Sequence, residues 1–171
     1  MTEPWVKMAE NNAWANARLS RAIADMSVED FAAPVPGFFP SLCQTLNHIY
    51  EVDLFYLDAL EKGGRGRSVF DREEVGDPVD LGTMQAMADA RFINFCTRLT
   101  PGKLAATCVT ERRHGAVEED VAAVILHLVQ HQIHHRGQAH VQLSEAGIAP
   151  PQLDEFYLAD GRAPSAVPFW E

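Results

Sequence analysis

Four histidines, His127, His131, His134 and His135, fall within nine residues of a chain that has seven in all. His131 and His135 are four apart, so on a helix their imidazoles lie on one face, one turn from each other. Two nitrogens placed this way can share one metal ion. A third donor stands far upstream, at His48. Three neutral imidazoles leave a divalent ion's charge intact and at least one coordination position open. Water or a thiol bound there becomes more acidic, which gives hydroxide or thiolate near neutral pH. The chemistry within reach is metal-assisted hydrolysis, or transfer of a low-molecular-weight thiol to an electrophile. Imidazoles alone do not choose among nickel, zinc, iron and manganese.

Periodicity separates the clustered histidines. Val121, Val124, Leu128, His131, His135, Ala139 and Gln142 follow steps of three and four, an apolar seam apart from two histidines and a final glutamine. Buried imidazoles need partners for both nitrogens, so two stacked in one seam demand ligation or hydrogen bonds. His127 and His134 fall on a flanking strip. His48 shares an inward strip with Thr45, Val52, Phe55 and Ala59. Tyr50, Glu51, Asp53 and Gln138 are candidates for a base or orienting group. Asp53 interrupts an apolar stripe, where it either orients a histidine, pairs with Arg136, or is a solvated edge charge.

Several elements must position these residues. A first helix is expected over Trp5 to Met26, with Asn12 on its inward stripe and Asn16 a turn later. The proline-rich stretch from Pro34 to Pro40 marks a loop. Ser41 and Gln44 form a capping-box pattern for a second helix that runs to about Lys62. A glycine-rich, charged connection follows from Gly63 to Gly82. The third helix is expected from Thr83 to Leu99, and a small extended segment over Ala105 to Arg112. The fourth and longest helix spans about Val117 to Ala146, with Glu118, Glu119 and Asp120 near its positive end. Leu153 to Leu158 is a candidate fifth, short helix. The pattern predicts an all-α fold, a four-helix bundle with a small extended segment between the third and fourth helices, as one domain over 1–171.

Composition narrows the class. Hydrophobic residues make up 47% and charged residues 22%, which is globular rather than disordered. A formal charge of −10 argues against nucleic acid as a partner. No signal-like N-terminus and no run near 20 apolar residues appear, so no membrane is expected and a cytoplasmic location is. Cys43, Cys96 and Cys108 form no CxxC pair and read as small core residues. Trp5 and Trp14, with Phe55 and Tyr56, place aromatic residues on more than one helix face, which favours a homodimer.

The chain resembles the DinB/YfiT-like family of metal-dependent bacterial proteins. The resemblance rests on Asn12-Ala-Trp-Ala-Asn-Ala-Arg-Leu19, on Ser41-Leu42 with Thr45-Leu-Asn-His48, and most of all on His127-x-x-x-His131-x-x-His134-His-Arg-Gly-Gln138. Pro150-Pro151, Leu153-Asp154 and Phe156-Tyr-Leu158 extend it over nearly the whole chain. It implies a four-helix bundle, a homodimer and a metal held by His48, His131 and His135. It does not imply one reaction, since relatives include thiol-dependent transferases and isomerases. The competing reading is a non-catalytic metal-binding or stress-interaction protein, whose closed site would need a fourth ligand such as His127 or His134. A purely structural helical dimer leaves the inward histidines unexplained.

Overall fold

The computed structural model describes residues 3–170. In chain order the elements are α1 (Glu3–Ile23), α2 (Val28–Ala32), α3 (Leu42–Glu61), α4 (Pro78–Thr97), α5 (Pro101–Leu104), β1 (Thr107–Arg112), β2 (Gly115–Asp120) and α6 (Val121–Glu145). The fold is mostly helical, with one two-stranded antiparallel sheet made of β1 and β2. Four of the helices are long. Short 3-10 turns cover Gly66–Phe70 and Pro164–Phe169.

Local chemistry sets the helix ends. Ser41 Oγ accepts from the Gln44 amide at 3.1 Å and starts α3, while Lys62 ends it in the left-handed region at φ 58°. The third long helix begins five residues before the expected Thr83. Asp77 caps it by accepting from the amides of Val79 and Asp80, and Pro78 at the first turn supplies a preset φ. The sequence Asp-Pro was a start signal hidden in a charged, glycine-rich stretch. The fourth long helix begins at Val121 rather than Val117. Residues 115–120 instead pair with 107–112, from Thr107 opposite Asp120 to Arg112 opposite Gly115. The acidic run Glu118-Glu119-Asp120 therefore sits on a strand, where the hairpin supplies the backbone partners a first helical turn lacks. Leu153 to Leu158 is not helical. Its Phe156 is fully buried against Trp14, with ring centroids 5.5 Å apart, and the Ala163 amide donates to the Glu155 carbonyl. Tertiary anchoring replaces local hydrogen bonding there.

The long helices pack α1 on α4, α3 on both α4 and α6, and α1 on α6. Ala13, Ala17 and Ser20 of α1 line one groove with Gly82, Ala86 and Ala90 of α4. A β-carbon at Gly82 would come within 3.0 Å of Ser20, so the glycine permits this close approach. The core is built from Phe31, Leu42, Leu57, Phe92, Cys96, Ile125, Leu128 and Leu143, all nearly inaccessible. All three cysteines are free and buried. Among the described residues no helix is long and apolar enough to cross a membrane.

Trp14, Phe55 and Tyr56 are buried, and Trp5 packs against the core. The surplus aromatic surface expected from sequence is thus covered within the chain. The exposed apolar residues lie elsewhere, including Leu126, Ile133 and Val141 along the outer stripe of α6.

Candidate metal centre

The α3 and α6 helices bring together His48, His131 and His135, whose ligand nitrogens all lie within 4.8 Å of one another. The Nε2 atoms of His48 and His131 face each other at 3.1 Å. Two donors on one ion bound at 2.0–2.1 Å cannot be more than about 4.2 Å apart, and this pair fits inside that span. Ring centroids are 4.6 Å apart for His48 and His135, and 4.3 Å for His131 and His135. The donor set, three imidazoles with no competing carboxylate in the group, suits a divalent transition metal.

Orientation differs among the three. His135 Nδ1 lies 2.7 Å from Gln138 Oε1, an acceptor, so Nδ1 carries the proton and Nε2 keeps its lone pair. Gln138 in turn donates from Nε2 to His134 Nε2 at 3.2 Å. Gln138, one of the candidate orienting residues, does touch the site. His131 Nδ1 is buried with no hydrogen-bond partner among the described residues, a departure from the usual outer support of a ligating imidazole. His134 is exposed and held by Gln138, while His127 is exposed, edge-on to Tyr56 at 5.0 Å and 6.1 Å from His131. Neither joins the three-nitrogen group. His114 sits in the β1–β2 turn, and His140 pairs with the Pro151 carbonyl at 3.0 Å.

Tyr50 and Glu51 are tied to the loop after α3. Arg72 stacks over the Tyr50 ring at 4.7 Å and reaches Glu51 Oε1 at 3.4 Å. Burial raises the Glu51 carboxyl above its ordinary value, partly opposed by Arg72. One contributor carries no periodic signal in the sequence. Phe39, in the proline-rich loop, places its ring over His48 at 4.7 Å and over His135 at 5.7 Å. Its carbonyl accepts from Gln142 Nε2 at 2.8 Å, and Gln142 Oε1 accepts from Thr45 Oγ1 at 2.6 Å. The glutamine that ends the α6 seam therefore anchors the loop that covers the histidines.

Behind the histidines lies a polar layer drawn from all four long helices. Asp53 is neither a solvated charge nor a histidine partner. It is 3% exposed and accepts from Gln85 Nε2 at 2.7 Å and from Gln132 Nε2. Its link to Arg136 runs through Gln132, whose Oε1 accepts from Arg136 Nη1 at 2.9 Å. The same Nη1 donates to Asn12 Oδ1 at 2.5 Å and Asn16 Oδ1 at 3.0 Å. Asn12, Asn16 and Gln85 all donate to Asp89. Amides thus separate one guanidinium from two carboxylates. Burial pushes Asp53 well above its ordinary value and Asp89 up to about 6, while it lowers Arg136 to about 10. Asn12 and Asn16 were visible on the inward stripe of the first helix. Gln85 and Asp89, one turn apart on α4, carry the matching signal.

Burial also holds the site histidines neutral. It lowers His48 to about 4 and His131 to about 3, with the neighbouring imidazoles adding to the effect. His135 is lowered by burial as well. These folded values lie below the ordinary 6.5, so on acidification the unfolded chain takes up protons first. The stability tied to neutral rings is full above pH 6.5 and is lost as pH falls toward 4 and 3. Asp89 works in the opposite sense between about pH 6 and the ordinary carboxylate value of 3.8. In metal-free protein, imidazole proton NMR is expected to show His48 and His131 still neutral at pH 5. Either ring titrating near 6.5 contradicts this picture.

A groove of about 690 Å³ between α1 and α4 contains none of the three histidines. Its walls are mainly apolar helix surface, so convergence of nitrogens, not concavity, locates the chemistry.

The chain is 22% identical over 154 residues to Protein DinB of Bacillus subtilis (strain 168), which covers 86% of this chain and 89% of the relative. The DinB family model matches residues 1–165. With the match spanning nearly its whole length, the chain belongs to the DinB family.

Proposed function

We propose that His48, His131 and His135 hold one divalent transition metal ion, nickel, zinc, iron or manganese, in a site open to small ligands. The convergence of three neutral imidazoles from two helices, His48 and His131 being 83 residues apart, carries this reading. When bound, the ion would acidify a water or thiol at its free position. The chain's own residues supply the rest. Gln138 fixes the His135 tautomer, Phe39 shields two imidazoles from water, and the polar layer sets the roll of α6 beneath them. We assign the protein to metalloenzymes of thiol-dependent transfer or metal-assisted hydrolysis, built as a single four-helix-bundle domain over 1–171 and working in the cytoplasm without nucleic acid. The non-catalytic alternative needs a closed site. His134, engaged by Gln138, and His127, packed on Tyr56, do not offer its fourth ligand.

The test is elemental analysis of metal-loaded protein, then absorption spectroscopy of the cobalt-substituted form with 2-mercaptoethanol. We expect about one ion per chain and a spectrum that changes with thiol. Bound cobalt indifferent to every small ligand would favour an ion that only fastens two helices. No bound ion at all would remove the metal reading.

A homodimer belongs to the same proposal. Its support is now the outer stripe of α6, where Leu126, Ile133 and Val141 are each about half exposed at 49%, 56% and 57%. Light scattering is expected to show a dimer with and without chelator, and Ile133→Asp to shift it toward monomer. A monomer throughout removes the dimer.

A further inference from the structure

The loop between α2 and α3 does more than cover the histidines. Phe38 is 75% exposed, and its ring meets Phe39 edge-on at 4.9 Å. An isolated exposed phenylalanine means little by itself. The setting of this one is what matters, because the loop that carries it is fixed. Pro34, Pro36 and Pro40 restrict its backbone, and the Val35 amide donates to the Pro40 carbonyl at 2.9 Å. Gln142 pins the Phe39 carbonyl, and a β-carbon on Gly37 would come within 2.6 Å of Gln142 Nε2. The loop therefore lies flush on α6 and cannot settle further to bury Phe38.

The histidine group has both aromatic and polar neighbours. Phe39 packs against the His48 and His135 rings, and Phe38 meets Phe39 edge-on. The Gln138 amide bonds to His135 and to His134. A ligand with a polar donor group and an apolar body matches this combination, with its body against the phenylalanines.

We propose that Phe38 and Phe39 form the recognition wall for an aromatic or apolar group on the ligand that binds at His48, His131 and His135. The inference rests on the proposed metal site and names the class of molecule that site receives. Stacking on aromatic faces and removal of apolar surface from water supply the selectivity.

The experiment titrates cobalt-loaded protein with benzyl mercaptan and with 2-mercaptoethanol, and follows the cobalt absorption. The wild type is expected to bind benzyl mercaptan roughly tenfold more tightly, the order set by partial burial of a phenyl ring. Phe38→Ala should cut that preference to about threefold or less, and Phe38→Trp should keep it. Because Phe38 is exposed, circular dichroism of the variants should match the wild type. Equal affinity for the two thiols in the wild type, or a preference that survives Phe38→Ala, overturns the aromatic wall while the metal site stands. Failure to bind cobalt, or a spectrum that responds to neither thiol, overturns the open metal site and the wall with it. Dissociation of a dimer by Phe38→Ala would reassign this side chain to contact between copies and overturn the proposal.

Discussion

Replacing His48, His131 or His135 with alanine is expected to abolish stoichiometric metal binding, each alone lowering affinity by more than about 100-fold. Gln138→Ala should have a smaller effect. Outer-sphere groups that orient a ligating imidazole typically contribute 10–100-fold in affinity, so removing Gln138 should cost about that much and no more. His135 would keep its nitrogen but lose the acceptor at 2.7 Å that fixes its tautomer. His114→Ala, in the hairpin turn, and His140→Ala, on the flank of α6, should leave affinity unchanged. Isothermal titration with zinc measures all of these. Retained binding in His48→Ala together with loss in His127→Ala would show that the wrong side chains have been assigned.

The second large effect concerns stability. Arg136→Ala is expected to destabilise the metal-free protein by about 3–5 kcal/mol, the range for removing one partner of a buried charge network. Arg136 is 4% exposed, and its Nη1 serves the side-chain oxygens of Asn12, Asn16 and Gln132. Without it those oxygens lose a donor, and Asp53 and Asp89 lose the nearby positive charge that lowers both carboxyls. Against a typical total of 5–15 kcal/mol the loss is severe. Arg136→Lys should fall between, because an ammonium keeps the charge but not the planar spread of donors. Urea unfolding at pH 7, with unchanged slope, is the measurement. A shift below about 1 kcal/mol would mean that the amides, not the guanidinium, hold the layer together.

Much of this organisation was legible because helical periodicity is a local property. The steps of three and four through Leu128, His131, His135 and Ala139 state which face points inward, and the cap at Ser41 states where α3 begins. What was not legible depends on partners far away in the chain. Residues 117–120 read as a helix start because acidic side chains suit one, yet a strand ten residues upstream claims their backbone. Asp53 was ambiguous because its donors, Gln85 and Gln132, lie 32 and 79 residues away. Phe39 was invisible as a site residue because nothing in a proline-rich loop states which helix it will lie upon.

The polar layer also bears on how the chain avoids folding wrongly. Apolar stripes on amphipathic helices are nearly interchangeable, and a helix shifted by one turn of about 5.4 Å still buries oil against oil. Amides and charges are not interchangeable. Asn12 and Asn16 each present an oxygen to Arg136 and a nitrogen to Asp89, an arrangement that closes only when α1, α4 and α6 stand at one height. Moving any helix along its axis strands buried donors and acceptors, at about 1–3 kcal/mol for each neutral group. The layer acts as a vernier between helices. It rejects shifted packings that hydrophobicity alone would tolerate, and in doing so brings His48 level with His131 and His135.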